Sequence, residues 1–527
     1  MNKNSLKVLI TTSGVGSRLG EITKYMNKAL VRVGPKPVIS YIIESYPQNT
    51  KYVITLGYLG KIVREYLEMA YPDRTFEFVL VDKFEGEGSS LLYSMLQAED
   101  NLNEPFIYHA CDTITDSQIT SLDCNWIGGV KGGGSSAYAS FSTLGSRVTE
   151  MHQKGFSDSD YLHVGLVGIK DFKEFWLKAD EIYQTRCKDT TIGDVEVLAE
   201  LVRLSHYNVV DLKSWFDIGN LDSLSLARSA LSDGNFHVLD KLAESIYNVD
   251  GCIIKFFSDS EVLKNRVKRV EYLNDTVPKI DAVSENFYKY RYIDGMLFSK
   301  VANPSNFLSL LEWAEKYLWI KAGETDAQSF KETCFRFYVE KTKQRLEEFL
   351  AKKCLSDKTE VINGRSVSGI GDLLKKIDLK QLCGDPPSNF HGDFILDNII
   401  KTGESTFKLI DWRQDFGGEL QFGDKYYDLA KLAHNLVVNH EMVDKTNYSI
   451  TIDSGDIVKI NIYRFQSLVE CEEILFKYLR RSNLNEKKVR ILRALIWINM
   501  APLHHHPFDL FLFYLGKYNL AGAIECE

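Results

Sequence analysis

The segment His391–Trp412, which reads HGDFILDNIIKTGESTFKLIDW, constrains this chain more than any other part of the sequence. A polar loop carries Asp393 and, five residues later, Asn398, and a short apolar strand then ends at Asp411. In phosphoryl-transfer sites one carboxylate orients an attacking hydroxyl, while an amide and a second carboxylate hold Mg²⁺ against the nucleotide phosphates. The spacing therefore predicts a loop and a strand that fold around a magnesium-bound nucleotide.

Length and composition limit the classes of protein to which this chain can belong. At 527 residues it exceeds what one hydrophobic core normally supports, so two or three domains are expected. A net charge of -9 gives no positive field for nucleic acid, and no apolar stretch approaches the ~18 to 20 residues that span a bilayer. The 9 cysteines include no CxxC pair, which favours reduced thiols. We expect a cytoplasmic protein that binds neither nucleic acid nor membranes.

The first part of the chain alternates short apolar runs with helical patterns. The runs LKVLITT, YVITLGY, FEFVLVD and PFIYHACD are bounded by Gly, Asp or Pro and rich in Val, Ile and Phe, which is typical of buried strands. Helical patterns such as PVISYIIESY lie between them. This alternation predicts an α/β domain over residues 1–232, with a mostly parallel sheet and helices on both of its faces.

The sequence pattern changes after residue 232. A short β-rich stretch around CIIKFF and YKYRYIDGMLF is followed, from Leu308, by long helical patterns rich in aromatic residues. A small mixed lobe ahead of a mainly helical lobe is the arrangement found in kinases. We therefore predict that residues 233–527 form a second domain, an α+β domain of two lobes.

A tight turn follows the first predicted strand. It contains Gly14 and Gly16, and the cations Arg18 and Lys28 come after it. Glycines let the backbone approach phosphate oxygens and present N–H groups to them. Fixed positive charges suit the place where a leaving pyrophosphate accumulates negative charge. A GxG turn alone is weak evidence, because many strand–helix turns contain one.

The whole string from Thr11 to Pro37 carries more weight than the turn, because it resembles the sugar-phosphate nucleotidyltransferases. That family has a GxGxRL loop, then a lysine, then a VGxKP turn; here these elements are GVGSRL from Gly14, Lys28 and VGPKP. The resemblance covers residues 1 to about 225. It implies a Rossmann-like nucleotidyltransferase fold for the first domain.

The resemblance also implies a role for each matching residue, despite two departures from the family pattern. The family's alanines before the loop are Thr12 and Ser13 here, and a proline is replaced by Asn27, which we interpret as tuning of the loop. The implied nucleotide contacts are Ser13, Gly14, Gly16, Gly86 and Ser89, the implied catalytic cations are Arg18 and Lys28, and the implied contact of the acceptor phosphate is Lys154.

Two carboxylates complete the implied site. Asp112 follows the strand PFIYHA, and Asp217 lies in WFDIGN, where the family keeps its metal-binding aspartates. A carboxylate at the C-terminal end of a strand is well placed to hold Mg²⁺ on a triphosphate, and one carboxylate rarely suffices. Either residue alone could equally be a strand-end cap, so the assignment depends on the pair. The implied reaction is in-line attack by an acceptor phosphate on the α-phosphorus of a nucleoside triphosphate, with release of pyrophosphate.

The HGDxxxxN segment with the following IDW resembles the aminoglycoside phosphotransferase and choline kinase group, which shares the protein-kinase fold. The resemblance covers roughly residues 235 to 515. It implies that Asp393 is the catalytic base, that Asn398 and Asp411 hold Mg²⁺, and that His391 supports the loop. Asp428 matches a structural aspartate of that group.

The small lobe matches this group less completely. Lys255, in CIIKFF, lies on a predicted strand where the ATP-binding lysine belongs, and Glu271 is its expected partner, with Glu261 as the weaker candidate. The stretch LAESIYNVDG holds one glycine, at its end, so no Gly-rich phosphate loop is present there.

Two hypotheses follow from these resemblances. In the first, the chain is bifunctional: the C-terminal domain uses ATP or GTP to phosphorylate a small molecule, and the N-terminal domain couples that phosphate to a nucleotide, as in the supply of activated donors for surface polysaccharide. In the second, the chain is a monofunctional nucleotidyltransferase whose kinase-like domain binds a ligand or holds a homo-oligomer. The intact set of Asp393, Asn398 and Asp411 favours the first hypothesis, and the missing glycines favour the second.

The nucleotide base and the acceptor are less constrained. Short relatives that accompany choline-kinase-like domains often use CTP, so CTP is preferred over GTP, dTTP or UTP. The acceptor is a sugar phosphate, a polyol phosphate or phosphocholine; a choline site would need an aromatic cage.

Overall fold

The computed structural model describes residues 5–132, 136–232, 241–323, 326–453 and 456–525. The chain divides into two compact units, the first formed by residues 1–260 and 281–292 and the second by residues 261–280 and 293–527. The predicted boundary between residues 232 and 233 adjoins residues 233–240, which lie outside the described part. The division by contacts falls later, because the β-rich stretch predicted for the second domain belongs to the first unit.

The first unit contains most of the strands of the chain. Its helices are α1 (Val38–Glu44), α2 (Gly60–Ala70), α3 (Leu91–Leu96), α4 (Phe172–Arg186), α5 (Asp194–Leu204) and α6 (Leu221–Ala230). Its strands are β1 (Lys7–Thr11), β2 (Arg32–Val33), β3 (Lys36–Pro37), β4 (Lys51–Leu56), β5 (Thr75–Leu80), β6 (Phe106–Ala110), β7 (Thr113–Ile114), β8 (Trp126–Lys131), β9 (Ser140–Leu144), β10 (Arg147–His152), β11 (Tyr161–Ile169), β12 (Asn208–Asp211), β13 (Phe216–Asp217), β14 (Glu244–Val249), β15 (Cys252–Phe257), β16 (Ile280–Val283) and β17 (Phe287–Arg291).

The largest sheet has the strand order β5-β4-β1-β6-β11-β8-β12-β10-β9. Strands β5, β4, β1 and β6 run parallel to one another, as the alternating pattern predicted. In the other half β12 runs parallel to β8, but the prediction of a mostly parallel sheet is wrong for the remaining pairings, since β11 runs antiparallel to both β6 and β8 and β10 runs antiparallel to β9. The connection from β9 to β10 is only a two-residue turn with Gly145 at φ 65°, too short for the crossover that parallel strands require.

The strands of the parallel half are buried on both faces. Val8 and Ile10 of β1 belong to one apolar core with residues of α1, α2 and α6, whereas Leu9 belongs to a second core with residues of α3, α4 and α5. This alternation follows from the two-residue period of a strand. Helices therefore cover both faces of the sheet, as predicted.

A second, four-stranded sheet of order β14-β15-β17-β16 packs into the first of these cores. Tyr247 of β14 is fully buried; its hydroxyl donates to the carbonyl of Leu30 at 2.7 Å, and its ring meets the edge of Tyr66 at a centroid distance of 5.3 Å. Phe256 and Phe287 are buried in the same core. These strands are thus an integral part of the first unit.

The second unit is mainly helical, as the pattern after Leu308 predicted. Its strands are β18 (Met296–Leu297), β19 (Glu360–Ile362), β20 (Arg365–Val367), β21 (Ile399–Lys401), β22 (Phe407–Leu409), β23 (Tyr448–Asp453) and β24 (Ile457–Ile462). Its helices are α7 (Ser260–Leu273), α8 (Phe298–Val301), α9 (Pro304–Tyr317), α10 (Ala327–Phe335), α11 (Lys341–Lys353), α12 (Ile370–Lys375), α13 (Leu379–Cys383), α14 (Lys425–Asn435), α15 (His440–Asp444), α16 (Gln466–Arg481), α17 (Glu486–Met500) and α18 (Phe508–Glu525).

Helix α17 forms the centre of the second unit. Every residue from Ile491 to Ile498 is buried, so neighbours cover all sides of this part of the helix, which packs against both α14 and α18. This packing fixes the position of α14 in the second unit. None of the helices in the described ranges combines the length and apolarity needed to cross a membrane.

The packing of the small sheet predicts where the first unit can be cut. A fragment ending at residue 232 lacks Tyr247, Phe256 and Phe287, and each large buried side chain contributes about 1.5 to 3 kcal/mol. We expect this fragment to unfold at lower urea concentration than residues 1–292 in which an equal-length Gly/Ser linker replaces 261–280, as measured by circular dichroism. Equal urea midpoints for the two fragments would show that the small sheet adds nothing to the unit.

Candidate active sites

The glycine turn after β1 leaves its backbone open. Gly14 is exposed, and a Cβ added there would meet no atom within 4 Å. Gly16 has φ 70°, and a Cβ there would lie 3.2 Å from both Lys28 and Thr23. Glycine is therefore required at the second position by conformation and by space, and the first position lets a ligand approach the backbone.

Asn27 fixes the segment that carries Lys28. Its fully buried amide donates to the carbonyls of Thr12, at 2.8 Å, and Tyr58, at 2.6 Å, and its Oδ1 accepts from the backbone of Ala29 at 2.9 Å. One side chain thus joins the glycine turn, the end of β4 and the start of a short 3₁₀ helix. The departure from proline at this position creates contacts that proline could not make.

The side chain of Ser13 faces the protein interior. Its hydroxyl lies 2.6 Å from that of Ser94, which in turn lies 3.0 Å from the hydroxyl of Thr55. Gly57 was missed by the sequence analysis: a Cβ there would lie 2.6 Å from the Ser13 carbonyl and 2.9 Å from Phe84. A glycine directly after a buried strand was the available signal of this close approach. Ser13 can therefore offer a nucleotide only its backbone.

The two predicted metal carboxylates lie next to each other. Asp112 follows β6, and Asp217 ends β13, which pairs antiparallel with β7 so that Asp217 is opposite Thr113. The backbone N–H of Ile218 also donates to the carbonyl of Asp112 at 3.0 Å. This two-stranded contact brings together aspartates that are 105 positions apart in the sequence.

Asp112 is surrounded by positive charge. The ammonium group of Lys28 donates to its carboxylate, and Arg18 lies close enough to influence it. Burial is the largest influence and opposes ionisation, but the charge and hydrogen bond of Lys28, aided by Arg18, lower the pKa of Asp112 below its ordinary value. Asp112 is therefore ionised at neutral pH and available to a cation.

Asp217 is held by three donors. The hydroxyls of Tyr138 and Ser223 donate at 3.1 and 2.9 Å, and the backbone N–H of Gly219 donates at 3.0 Å. Burial, and then Asp217 itself, raise the pKa of Tyr138 to about 12, so its hydroxyl remains a donor. The edge of Trp215 contacts the same ring at a centroid distance of 4.8 Å. No motif in the sequence identified Tyr138.

The donor set of the aspartate pair suits Mg²⁺. Mg²⁺ prefers oxygen ligands and is usually bound by one or two carboxylates together with substrate phosphates. Across the described residues, no group of three or more His, Cys, Asp or Glu side chains is arranged to hold a metal ion. Asp112 and Asp217 fit a magnesium ion that arrives with a nucleotide, and they remain a prediction as its ligands.

The GEGSSL segment forms an ordered loop at the surface. Gly86 has φ 81° and is exposed, and Ser89 donates through its hydroxyl to the Gly86 carbonyl at 2.6 Å. Tyr183 of α4 donates to the carbonyl of Gly88 at 3.1 Å. The contacts of Gly86 and Ser89 with a nucleotide stay a prediction.

Lys154 is exposed in the turn after β10. His152, at the end of β10, pairs with Ser140 at the start of β9. Lys154 follows this end of the strand pair, and Tyr138 precedes it by two residues. Its predicted contact with the acceptor phosphate stays a prediction.

In the second unit, a buried carboxylate holds the HGD loop. Asp428 of α14 is fully buried and accepts from the backbone N–H groups of His391 and Gly392, each at 2.7 Å, and from the indole N–H of Trp319 at 3.1 Å. Burial raises the pKa of Asp428 to about 6 despite these donors. The structural role expected for this aspartate agrees with its contacts.

The ring of His391 joins the loop to the following strand. It accepts from the backbone N–H of Asp393 at 3.2 Å, so the other nitrogen, which lies 2.9 Å from the carbonyl of Ile410, is assigned as the donor. Burial lowers the pKa of His391 to about 4, which keeps the ring neutral. The ring of His391 thereby connects the backbone of Asp393 to Ile410, the residue that precedes Asp411.

The three residues predicted for phosphoryl transfer converge. The side-chain amide of Asn398 donates to the backbone carbonyl of Asp393 at 2.9 Å and to its carboxylate at 3.1 Å. The backbone carbonyl of Asn398 accepts from the backbone N–H of Ile410 at 2.9 Å. Asp411 has φ 58°, a left-handed conformation that Asp tolerates better than most residues. The loop and the strand therefore present two carboxylates and one amide together, as the spacing indicated.

Two basic side chains engage these carboxylates. Lys431 lies 2.7 Å from Asp393, and Arg266 lies 3.3 Å from Asp411. Burial favours the neutral form of Asp393, but Lys431 outweighs it and lowers the pKa of Asp393. The sequence carried a signal for Lys431, which follows Asp428 by three positions and shares a helical face with it. Nothing in the sequence identified Arg266.

Helix α7 presents arginines to the HGD segment. Arg269 is buried and donates to several backbone carbonyls around this segment, including that of Leu420 at 3.1 Å and that of Phe390. Glu271, on the same helix, is exposed. Lys255 is 2% exposed on β15 in the first unit. The nucleotide-binding roles of Lys255 and Glu271 stay predictions.

No family model matches the chain. The probable glucose-1-phosphate cytidylyltransferase of Bacillus subtilis (strain 168) is 26% identical over 117 residues, which are 22% of this chain and 43% of that protein. The glucose-1-phosphate cytidylyltransferase of Salmonella typhimurium is 33% identical over 63 residues, which are 12% of this chain and 24% of that protein. The chain thus spans less than half the length of the curated relatives it matches.

Two solved structures are also similar to part of the chain. The CTP:phosphocholine cytidylyltransferase from Streptococcus pneumoniae is 18% identical, with 43% of this chain and 100% of that chain covered and a TM-score of 0.37. For the inositol-1-phosphate CTP transferase from T. maritima the values are 17%, 44%, 99% and 0.36. TM-scores this low do not establish a shared fold. By sequence, the N-terminal part of this chain is similar to parts of two curated proteins that are named as glucose-1-phosphate cytidylyltransferases.

Proposed function

We propose that this chain is a bifunctional enzyme that makes a nucleotide-activated donor. The first unit transfers a nucleotidyl group, preferably from CTP, to a sugar, polyol or alcohol phosphate and releases pyrophosphate. Residues 233–527 form a kinase-like domain that uses ATP or GTP to supply that phosphate. Both reactions depend on Mg²⁺.

The nucleotidyl half is supported chiefly by the convergence of Asp112 and Asp217 beside Lys28. Two carboxylates and a cation meet next to a glycine turn whose backbone is open at Gly14. In open α/β sheets ligands bind outside the carboxyl ends of the strands, and Asp112 follows the end of β6. This arrangement suits a triphosphate whose charge must be balanced while its α-phosphorus stays accessible.

Each group of residues in this site has a separate role in the proposed reaction. The glycine turn donates backbone N–H groups to phosphate oxygens, and Arg18 and Lys28 balance the charge that develops on the leaving pyrophosphate. Bound Mg²⁺ would supply Lewis-acid polarisation of the α-phosphate. Tyr138 and Ser223 keep the carboxylate of Asp217 fixed, so little reorganisation is needed when substrates bind.

The names of the relatives support cytidine as the base and a sugar phosphate as the acceptor. Both curated relatives are glucose-1-phosphate cytidylyltransferases by name. A donor of this kind would serve the synthesis of surface polysaccharide. Polyol phosphates and phosphocholine remain further acceptors to be tested.

The kinase half is supported by the geometry of the HGD segment. Asp393, Asn398 and Asp411 converge, and Asp393 is kept ionised, as a base that accepts a hydroxyl proton must be. The neutral His391 and the buried Asp428 fix the loop in which the base lies.

Two observations favour the alternative, a monofunctional nucleotidyltransferase whose second unit is a scaffold or ligand-binding domain. Arg266 lies against Asp411 and competes with a cation for its carboxylate. The β14–β15 hairpin closes through Asp250 and Gly251, at φ 48° and 68°, and this two-residue turn is shorter than a loop that would cover phosphates.

Asp112→Ala tests the nucleotidyl site. We expect pyrophosphate release from CTP to fall by about two orders of magnitude or more, because the variant lacks one of two predicted magnesium ligands. Asp123→Ala, at an exposed position, is the matched control and should keep its rate. Near-normal turnover by a folded Asp112→Ala variant would remove the metal assignment.

Asn27→Ala tests how Lys28 is positioned. The substitution leaves the buried carbonyl of Thr12 and the partly buried carbonyl of Tyr58 without this donor, which costs about 1 to 3 kcal/mol in unfolding free energy. Pyrophosphate release should fall as well, because the segment that carries Lys28 loses its anchor. Asn103→Ala, in an exposed loop, provides the comparison; equal rates and stabilities for both variants would contradict the role of Asn27.

Asp393→Asn tests the kinase half. ATP- or GTP-dependent phosphorylation should fall by roughly two or more orders of magnitude, whereas nucleotidyl transfer to a supplied sugar phosphate should be unchanged. Asp397→Asn, in the same loop but paired with His440, is the control. If the Asp112→Ala variant, in which only the kinase half is left intact, is folded but binds no nucleotide, the kinase half fails and the scaffold alternative takes its place.

A further inference from the structure

A small cavity in the second unit lies beside the proposed base. Its volume is about 180 Å³, and it is bounded by α11, α14, α17 and the segment after Asp411. Four basic side chains line it: Lys341, Arg345, Arg413 and Lys431. Since Lys431 also contacts Asp393 at 2.7 Å, the cavity adjoins the carboxylate that would accept a hydroxyl proton.

Positive charge in this cavity is not balanced by its walls. No Asp or Glu is among the described residues that line it. Arg345 donates to the backbone carbonyl of Asn499 at 2.8 Å, and Arg413 donates through Nε to the backbone carbonyl of Asp415 at 3.0 Å, so these guanidinium groups contact neutral oxygens. Only Lys431, of the four, has a carboxylate partner within the described part of the chain.

The cations also destabilise one another. Burial, followed by the charges of Arg413 and Arg345, lowers the pKa of Lys341 to about 7, with Asp415 acting in the opposite direction and Lys431 adding to the repulsion. A bound anion would relieve this repulsion. Cations gathered without counter-charges in a partly buried cavity are typical of sites for anionic ligands.

Two cations of the protein already lie over an aromatic ring of the cavity. The ammonium of Lys341 lies 4.6 Å from the ring centroid of Phe337, and the guanidinium of Arg413 lies 5.0 Å from the same centroid. A quaternary ammonium ligand would have to displace them and would be repelled by them. The cavity therefore does not offer the aromatic cage that a choline acceptor would need.

We propose that this cavity binds the anionic group of the kinase acceptor, a small hydroxylated molecule that carries a carboxylate or a phosphate. The proposal rests on the kinase half of the proposed function. In the reaction, the acceptor oxygen forms a bond to the γ-phosphorus of the nucleotide as the bond from that phosphorus to the diphosphate breaks. The hydroxyl proton passes to Asp393. Lys341 and Arg413 hold the anionic group, so they select the acceptor without touching the transferred phosphoryl group.

The test is isothermal titration of the full-length protein, without nucleotide, with four probes: glycerol 3-phosphate, D-glycerate, glycerol and choline. We expect at least one of the two anions to bind, and glycerol and choline not to bind. Which anion binds more tightly distinguishes a phosphate from a carboxylate. Arg413→Gln and Lys341→Gln should each weaken anion binding about tenfold or more, whereas Lys343→Gln, exposed on α11, should not.

Two results would overturn the proposal. One is the absence of binding by both anions, and the other is equal anion affinity in the wild type, Arg413→Gln and Lys341→Gln, provided that thermal melting shows all three folded. Titration with ATP and Mg²⁺ is a separate measurement: its failure would refute the kinase half, whereas the anion titrations would still decide what the cavity binds.

Discussion

The short antiparallel contact between Thr113 and Asp217 is the interaction on which the first unit's candidate site depends. It joins β7, which directly follows Asp112, to β13, and it thereby brings together two aspartates that are 105 positions apart in the sequence. The pair in turn gives Lys28 a partner, and Asn27 ties Lys28 to the glycine turn. A site built from four separate segments is thus fixed by a few backbone and buried amide hydrogen bonds, which place its charged groups before any substrate binds.

The second unit follows the same principle with different parts. Two buried groups, Asp428 and the neutral ring of His391, orient the loop that carries the ionised Asp393. The carboxylates of Asp393 and Asp411 each form an ion pair with a basic side chain. Arg266 at Asp411 and Lys431 at Asp393 make this centre less acidic than its motif suggests, which is why its cation affinity has to be measured.

The sequence was informative where chemistry requires particular residue types at short spacing. The glycine turn, the HGD loop and the aspartates at strand ends were therefore predictable, as was the parallel half of the large sheet. The antiparallel pairings were not, because hairpin strands such as β9 (SFSTL) and β10 (RVTEMH) are short and largely polar, and they lack the apolar runs by which the parallel strands were recognised. Tyr138 and Arg266 reach their carboxylates through tertiary structure, 79 and 145 positions away, and no local pattern marks such contacts. The small sheet joined the first unit because Tyr247 and Phe287 pack into its core, a choice of partner that propensity cannot reveal.

The central claim is that the first unit transfers a nucleotidyl group to a phosphorylated acceptor. Its most direct test is pyrophosphate release by the full-length protein with Mg²⁺, glucose 1-phosphate and, in turn, CTP, UTP, dTTP and GTP, repeated with a polyol phosphate and phosphocholine. We expect acceptor-dependent release that is fastest with CTP. Absence of acceptor-dependent pyrophosphate release with every nucleotide and acceptor, from folded protein, would contradict it.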